Sequence, residues 1–344
     1  MAKNETLARR LGHRLHLVLI GLALSTTLMA AAGAVYQSSS SARDRHAYVM
    51  PGQLVDVGNY KMHIYCAGQG TPAVILDSGL GDIFASWREV QPKIAKFTRV
   101  CSYDRAGLGY SDPSGRSRTS KDIAEELHML LHKASIPTPI VLVGHSAGGH
   151  NVRVYASLYP DEVAGMVLVD SSHPDQDRLL PAALKTRDAR MLREVELEEI
   201  AMRFGIPRLC RFCDRFDYCH NDGVDRAAEC NVHTVHEGIA EWEAFPESAA
   251  QAAASGSLRD MPLIVLSHDP EKTDPDLPPD VDKLLRGAFE NMQQELAQLS
   301  SKGVRIIAKD SGHYIQLERP EVVVEAVGNV VAQVRQRSTT VPSR

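Results

Sequence analysis

Short apolar segments alternate with longer amphipathic ones along most of the chain, from about residue 53 onward. The apolar segments have the length of β-strands, and the amphipathic ones repeat apolar residues at helical spacing. Two segments that alternate apolar and polar residues around Gly58-Asn59 predict a β-hairpin. The two strands of this hairpin and six further apolar segments give eight predicted strands. They are Gln53–Val57, Lys61–Cys66, Ala73–Leu76, Arg99–Tyr103, Ile140–Val143, Met166–Val169, Leu263–Leu266 and Val304–Ile307.

Helical patterns lie between these strands, at Ser86–Phe97, Thr119–Ala134 and Gly149–Leu158, and a last one follows them at Pro320–Arg335. The last begins with proline, as helix N-termini prefer. Alternating β and α segments predict an α/β fold with a mostly parallel eight-stranded sheet flanked by helices.

One long interval, residues 175–256, contains helical patterns but no strand-like run. We interpret it as a helical cap inserted after strand 6, over the C-terminal strand ends where such sheets carry their sites. The predicted organisation is therefore an N-terminal segment (1–45), a core (46–174 and 257–336), the cap (175–256) and a disordered tail (337–344).

The N-terminal segment combines an uncharged stretch, residues 16–36, with the preceding cations Lys3, Arg9, Arg10 and Arg14. About 20 apolar residues can cross a bilayer, and the positive flank belongs on the cytoplasmic side. Ala32-Gly33-Ala34 has the form of a cleavage site and favours a signal peptide, whereas the length of the stretch favours a retained anchor. Cleavage is slightly favoured. A serine-rich linker, residues 37–45, follows, and the rest is expected outside the cytoplasm.

Composition narrows the function classes. The chain has 344 residues, 44 % of them hydrophobic, which is enough for one large α/β core and a smaller inserted unit. The formal net charge of -5 argues against nucleic acid as a partner.

Four of the six cysteines cluster in the cap, at Cys210, Cys213, Cys219 and Cys230. With nearby histidines they match a zinc-ligand pattern, but an exported chain favours two disulfides, of unknown connectivity. Free thiols are the third alternative. Cys66 and Cys101 lie in two predicted strands, where a bridge or buried free thiols are both open.

The candidate nucleophile is Ser146, in Gly144-His145-Ser146-Ala147-Gly148. This G-x-S-x-G motif follows an apolar strand and precedes a helix, the context of a nucleophile elbow. His145 is interpreted as a packing residue, because adjacent side chains at an elbow diverge.

The order serine, acid, histidine along such a chain requires a histidine after the last strand, and His313 occupies that place. We expect it to be the general base toward Ser146. Three acids remain open. Asp170 is favoured because it ends an apolar strand and should be buried, while Asp269 and Glu271 lie in a loop rich in Asp and Pro.

The oxyanion donors are predicted to be the backbone N–H groups of Ala147, directly after the nucleophile, and Leu80, in the glycine-rich loop after strand 3. Trp242 and Phe245 lie three apart in the cap. They either contact an apolar acyl group or, as we favour, pack the cap on the core.

Five segments carry a family resemblance: residues 76–81, 102–112, 144–149, 168–170 and 311–314. From Val55 to about Arg335 the chain resembles the α/β-hydrolase superfamily, in the capped branch with esterases, epoxide hydrolases and haloalkane dehalogenases. Some members of that branch place the acid after strand 6, which supports Asp170. The resemblance also implies an antiparallel second strand beside the fourth, so that Cys66 and Cys101 can form a bridge. Asp104-Arg105 recurs in such folds and is interpreted as structural.

This chain departs from the family pattern in two places. Ser78-Gly79 stands where many relatives have His-Gly, and the cysteine-rich cap is not general.

The sequence therefore predicts a serine hydrolase that cleaves a small carboxylic ester through an acyl-enzyme, with no cofactor or metal. Amide, peptide, lactone or C–C bond hydrolysis and acyl transfer share the same triad and stay open. A non-catalytic binding protein of the same fold is the alternative from another class.

Overall fold

The computed structural model of the chain describes residues 2–47, 50–179, 182–210, 227–228, 230–272 and 278–340. Contacts divide the chain into two compact units. One combines Met1–Val49 with Glu196–Val232, and the other combines Met50–Val195 with His233–Arg344.

An eight-stranded sheet forms the centre of the second unit, as the sequence predicts. Its spatial order is β1-β2-β4-β3-β5-β6-β7-β8. The pairs β1–β2 and β2–β4 are antiparallel, and all other pairs are parallel. The strands are β1 Gln53–Asp56, β2 Lys61–Ala67, β3 Val74–Asp77, β4 Val100–Tyr103, β5 Ile140–His145, β6 Val163–Val169, β7 Leu263–His268 and β8 Gly303–Ala308.

The helices follow in chain order, with a 3-10 turn at Phe84–Trp87 and another at Pro160–Glu162. They are α1 Ala2–Ala47, α2 Gln91–Ile94, α3 Ser120–Lys133, α4 Gly148–Leu158, α5 Gln176–Leu179, α6 Ala182–Arg203, α7 Ile206–Leu209, α8 Val232–Glu243, α9 Phe245–Ala254, α10 Pro279–Ala297, α11 Ile315–Glu318 and α12 Pro320–Thr340. Thr119 caps α3, where its hydroxyl accepts from the N–H of Asp122 at 3.3 Å.

Each face of the sheet has its own apolar core. Leu142 of β5 packs on the face that carries α3 and α4, whereas its neighbours Val141 and Val143 pack on the face that carries α12. All three are fully buried. A strand covered on both faces needs a continuous apolar run, which is why β5 does not alternate apolar and polar residues.

Three predicted elements differ from the structure. The tail expected to be disordered from residue 337 is helical up to Thr340, where α12 ends. The helix expected over Ser86–Phe97 is divided into the 3-10 turn and α2, because Pro92 has no N–H and its ring is tolerated only in the first turn of a helix. The segment 37–45, expected as a linker, continues α1 instead, and Gln37 and Ser40 are buried within the first unit.

The cysteines also depart in part from expectation. Cys66 and Cys101 face each other across β2 and β4 and form a disulfide, as the resemblance implies. Cys230 is disulfide-bonded, but Cys210 is a free, exposed thiol. The prediction of two disulfides in the cap is therefore wrong for Cys210, which follows α7 and faces solvent. Cys213 and Cys219 lie outside the described residues.

Candidate active site

Ser146 lies in a sharp turn between β5 and α4. Its φ of 52° is in the left-handed region, which is strained for a non-glycine residue. Two glycines make the turn feasible: a Cβ on Gly144 would lie 2.6 Å from the carbonyl oxygen of Gly148, and one on Gly148 would lie 2.6 Å from that of Asp77. The half-buried serine is thus presented at the C-terminal edge of the sheet, in the geometry of a nucleophile elbow.

His313 and Asp170 are in direct contact. Asp170 follows β6 and is buried, while His313 lies in the turn between β8 and α11, with Nδ1 2.6 Å from Asp170 Oδ2. Burial disfavours the charged imidazole, but the hydrogen bond and charge of Asp170 outweigh it and raise the pKa of His313. Burial would likewise raise the pKa of Asp170, yet hydrogen bonds from His268 and His313 lower it below its ordinary value. The carboxylate can therefore hold the imidazole in one tautomer.

A second histidine shares this carboxylate, which the sequence analysis missed. His268 Nδ1 lies 2.9 Å from Asp170 Oδ1, and the backbone N–H of His268 donates to the same oxygen at 2.8 Å. Its ring stacks on Phe289 at a centroid distance of 4.3 Å. The only signal in the sequence is its place at the end of β7, beside Asp269. His268 thus fixes the orientation of Asp170.

The two alternative acids have other surroundings. The carboxylate of Asp269 accepts from the backbone N–H groups of Glu271 and Asp310, both at 2.9 Å. Asp269 N–H in turn donates to Ser311 O at 3.1 Å. Asp269 therefore joins the loops after β7 and β8, and Glu271 is exposed. Asp170, by contrast, contacts the imidazole of His313 directly.

His145 packs beneath His313, with ring centroids 4.7 Å apart, and its Nε2 donates to the His313 carbonyl oxygen at 3.1 Å. Burial lowers the pKa of His145 to about 3, so the ring is neutral at ordinary pH. Nearby, burial raises the pKa of Asp82 to about 6. His145 thus packs against His313, and the charge of Asp82 contributes to raising the pKa of His313.

A buried ionic network holds the loop that carries Leu80. Arg105 donates to Glu241 with Nε at 2.6 Å and Nη2 at 2.8 Å, and to Asp77 with Nη1 at 3.0 Å. It also donates to the carbonyl oxygens of Ser78 at 2.8 Å and Gly79 at 2.6 Å. All three charged residues are buried.

Glu241 closes this network. Its Oε2 accepts from the N–H of Gly81 at 2.9 Å, directly after Leu80. The loop that carries Leu80 is therefore fixed through its carbonyl oxygens by Arg105 and through the N–H of Gly81 by Glu241, which lies 160 positions further along the chain than Gly81. Sequence reasoning missed this pairing because nothing local connects the two residues.

The candidate residues share one cavity of about 310 Å³. It is lined by Gly79, Leu80, Asp82, His145, Ser146, Ala147, Ser172, Gln176, Asp177, Asp188, Met191, Trp242, Phe245, His313 and Tyr314. The structure thus brings together the predicted nucleophile, base, oxyanion donors and both aromatic residues. Trp242 and Phe245 border the cavity, and the ring of Phe245 also packs on that of His150, with centroids 5.2 Å apart.

In the described part of the chain, no group of three or more His, Cys, Asp or Glu residues could hold a metal ion.

Comparison with known proteins agrees with this architecture. A family model for the α/β-hydrolase fold matches residues 72–203. The chain is 24 % identical over 302 residues to an AB hydrolase superfamily protein from Gibberella zeae, covering 77 % of this chain and 87 % of the relative. Of three other curated relatives that match, the chain spans only about a quarter to a half of the length.

Two solved structures show the likeness in three dimensions. Cfl2 from Burkholderia cenocepacia has a TM-score of 0.63 at 22 % identity, over 81 % of this chain and 95 % of that one. A thermophilic esterase from Thermogutta terrifontis has a TM-score of 0.57 at 21 % identity, over 82 % and 98 %. The chain therefore has the α/β-hydrolase fold, and residues 72–203 match the family model for that fold.

Proposed function

We propose that the protein hydrolyses a small carboxylic ester through an acyl-enzyme formed on Ser146. The observation that carries the proposal is the contact of 2.6 Å between His313 and the buried Asp170, in the same cavity that Ser146 lines at its strained turn. A base oriented by an acid, in one cavity with an accessible serine, is the arrangement that nucleophilic acyl transfer requires.

The proposed reaction has two halves. Ser146 Oγ attacks the ester carbonyl carbon while its proton moves to His313 Nε2, and the oxyanion accepts from the N–H groups of Leu80 and Ala147. The ester C–O bond then breaks, and His313 returns the proton to the leaving alcohol. Water repeats the sequence on the acyl-enzyme, with His313 again as base, and releases the carboxylic acid.

Hydrolysis of p-nitrophenyl esters from acetate to octanoate tests this proposal, with Ser146→Ala as the matched control. We expect turnover in the wild type and none in the variant, and the chain-length optimum reports the size of the cavity. If the wild type neither turns over these esters nor reacts with a fluorophosphonate, the serine is not activated and the non-catalytic alternative is favoured. Reaction with the probe without ester turnover would favour another acyl substrate.

We also propose that the second unit functions outside the cytoplasm. The Cys66–Cys101 disulfide is typical of an oxidising compartment. Among the described residues, one helix is long and apolar enough to cross a membrane, within Leu11–Asp44. Thiol alkylation in intact cells, followed by mass measurement, would contradict this location if both cysteines were found reduced.

A further inference from the structure

Helix α1 is joined to the rest of the first unit at the end of its apolar part. A Cβ on Gly33 would lie 2.2 Å from the carbonyl oxygen of Phe204, and one on Gly205 would lie 2.9 Å from the ring of Tyr36. Backbones approach this closely only where side chains are absent or small. Gly33, the central residue of Ala32-Gly33-Ala34, thus has a packing role that does not depend on cleavage, whereas Ala32 and Ala34 are exposed.

Polar contacts continue along the next turns of α1. Gln37 is buried, donates from Nε2 to the Cys230 carbonyl oxygen at 2.8 Å, and accepts from Arg208 Nε at 3.0 Å. Arg208 Nη2 also pairs with Asp44 at 2.7 Å. From Gly33 to Asp44 the helix rises by about 16 Å at 1.5 Å per residue. Over that length α1 is an integral part of the folded unit.

The segment that contacts α1 exposes a set of large apolar side chains, which we call the apolar face. Three of them, at i, i+3 and i+7, share one side of the end of α6 and the turn after it, and two more follow at i and i+3 in α7. They are Leu197 (67 % exposed), Ile200 (55 %), Phe204 (38 %), Ile206 (48 %) and Leu209 (64 %). Exposure of so many large apolar groups in a short segment marks an interaction surface.

The position of the apolar face along α1 identifies its partner. A bilayer core takes about 20 helical residues, so a span that begins after Arg14 ends near Gly33 and Tyr36. Those are the residues that contact Phe204 and Gly205. The apolar face is therefore attached at the level where the span leaves the lipid, and the contacts of Gln37 and Asp44 lie farther out.

We propose that α1 is retained as a membrane anchor and that the apolar face lies in the interfacial region of the outer leaflet. The two cations beside the apolar face are paired with carboxylates, Arg203 with Glu199 at 2.6 Å and Arg208 with Asp44. Binding of the apolar face therefore does not require anionic lipid, and a zwitterionic phospholipid is sufficient for it. Amphipathic surfaces of this kind bind by burying apolar area at the headgroup boundary. The proposal does not depend on hydrolytic activity.

Tryptophan quenching in vesicles tests it with the full-length protein. Leu197→Trp, Ile200→Trp and Leu209→Trp are each reconstituted into phosphatidylcholine whose acyl chains are brominated near the headgroup. Leu284→Trp is the matched control, because Leu284 is 66 % exposed on α10 of the other unit. The emission of the parent protein, which comes from Trp87 and Trp242, is subtracted from that of each variant.

We expect a blue shift and a loss of emission in brominated lipid for the three variants on the apolar face, and neither for Leu284→Trp. Equal emission in brominated and ordinary lipid would overturn the proposal. A blue shift that depends on protein concentration and occurs without lipid quenching would assign the face to a second copy instead. An intact mass that lacks residues 1–34 would also overturn it, since the anchor would then be absent.

Discussion

Replacing Glu241 by glutamine tests whether the buried network positions the oxyanion loop. The change keeps the length of the side chain and removes its charge. Arg105 then loses its charged partner for Nε and Nη2, while Gly81 N–H competes for the single remaining carbonyl oxygen. Glu241→Gln should therefore let the loop that carries Leu80 move.

The expected magnitudes follow from the burial of these groups. A hydrogen bond to a charged group contributes about 1.5–3 kcal/mol, against about 1 kcal/mol for a neutral one, so the free energy of unfolding should fall by roughly 2 kcal/mol. Loss of one oxyanion donor costs about 10²–10³ in kcat. Because Leu80 is displaced rather than removed, we expect kcat to fall about 10- to 100-fold with little change in KM.

The control is Glu126→Gln. Glu126 is also buried and pairs with buried Arg118 at 3.0 Å, but neither residue lines the cavity. Both variants should lose comparable stability in urea unfolding, and only Glu241→Gln should lose kcat and affinity for a boronic acid that mimics the tetrahedral intermediate. Equal kcat losses in the two variants would refute the positioning role and leave Glu241 as a purely structural residue.

Three further predictions concern the candidate acids Asp170 and Asp269, the histidine His268, and the thiol of Cys210. Asp170→Asn should lower ester turnover by about 10⁴-fold, as a wrong histidine tautomer does, whereas Asp269→Asn should leave turnover nearly unchanged, because its carboxylate contacts backbone N–H groups; the reverse order of rates would move the acid to β7. His268→Phe removes a hydrogen bond from the Asp170 carboxylate, which strengthens its pull on His313. The pKa of His313 should rise further, so the acidic limb of the pH–rate profile should shift to higher pH; an unchanged limb contradicts this. Cys210 should react with a thiol reagent in native, non-reduced protein, and Cys210→Ser should lower the number of labelled thiols by one.

The sheet, and the places of Ser146 and His313 at its edge, were predictable because their signals are local. The elbow around Ser146 is a contiguous motif, and His313 follows the last strand. Which acid contacts His313 is not a local signal: Asp170 and Asp269 both end strands at the same edge, and only three-dimensional contacts show that backbone N–H groups occupy Asp269. The contact of Arg105 with Glu241 joins distant segments, so no periodicity indicates it.

The segment of α1 after Tyr36 was also mispredicted because its contacts are not local. Four serines and few apolar residues after Tyr36 predict a linker, because propensity favours solvated chain there. Burial of Gln37 against Cys230 and Arg208 overrides that preference, and it depends on the fold of a segment far along the chain.

The most direct test of the central claim, activation of Ser146 by His313 and Asp170, is covalent labelling by a fluorophosphonate followed by intact-mass and peptide analysis. The wild type should gain one adduct per chain, located on Ser146. Ser146→Ala should gain none while it unfolds at the same temperature as the wild type, because alanine fits the same turn. Absence of the adduct in folded wild type, or equal labelling of Ser146→Ala, would contradict the proposed nucleophile.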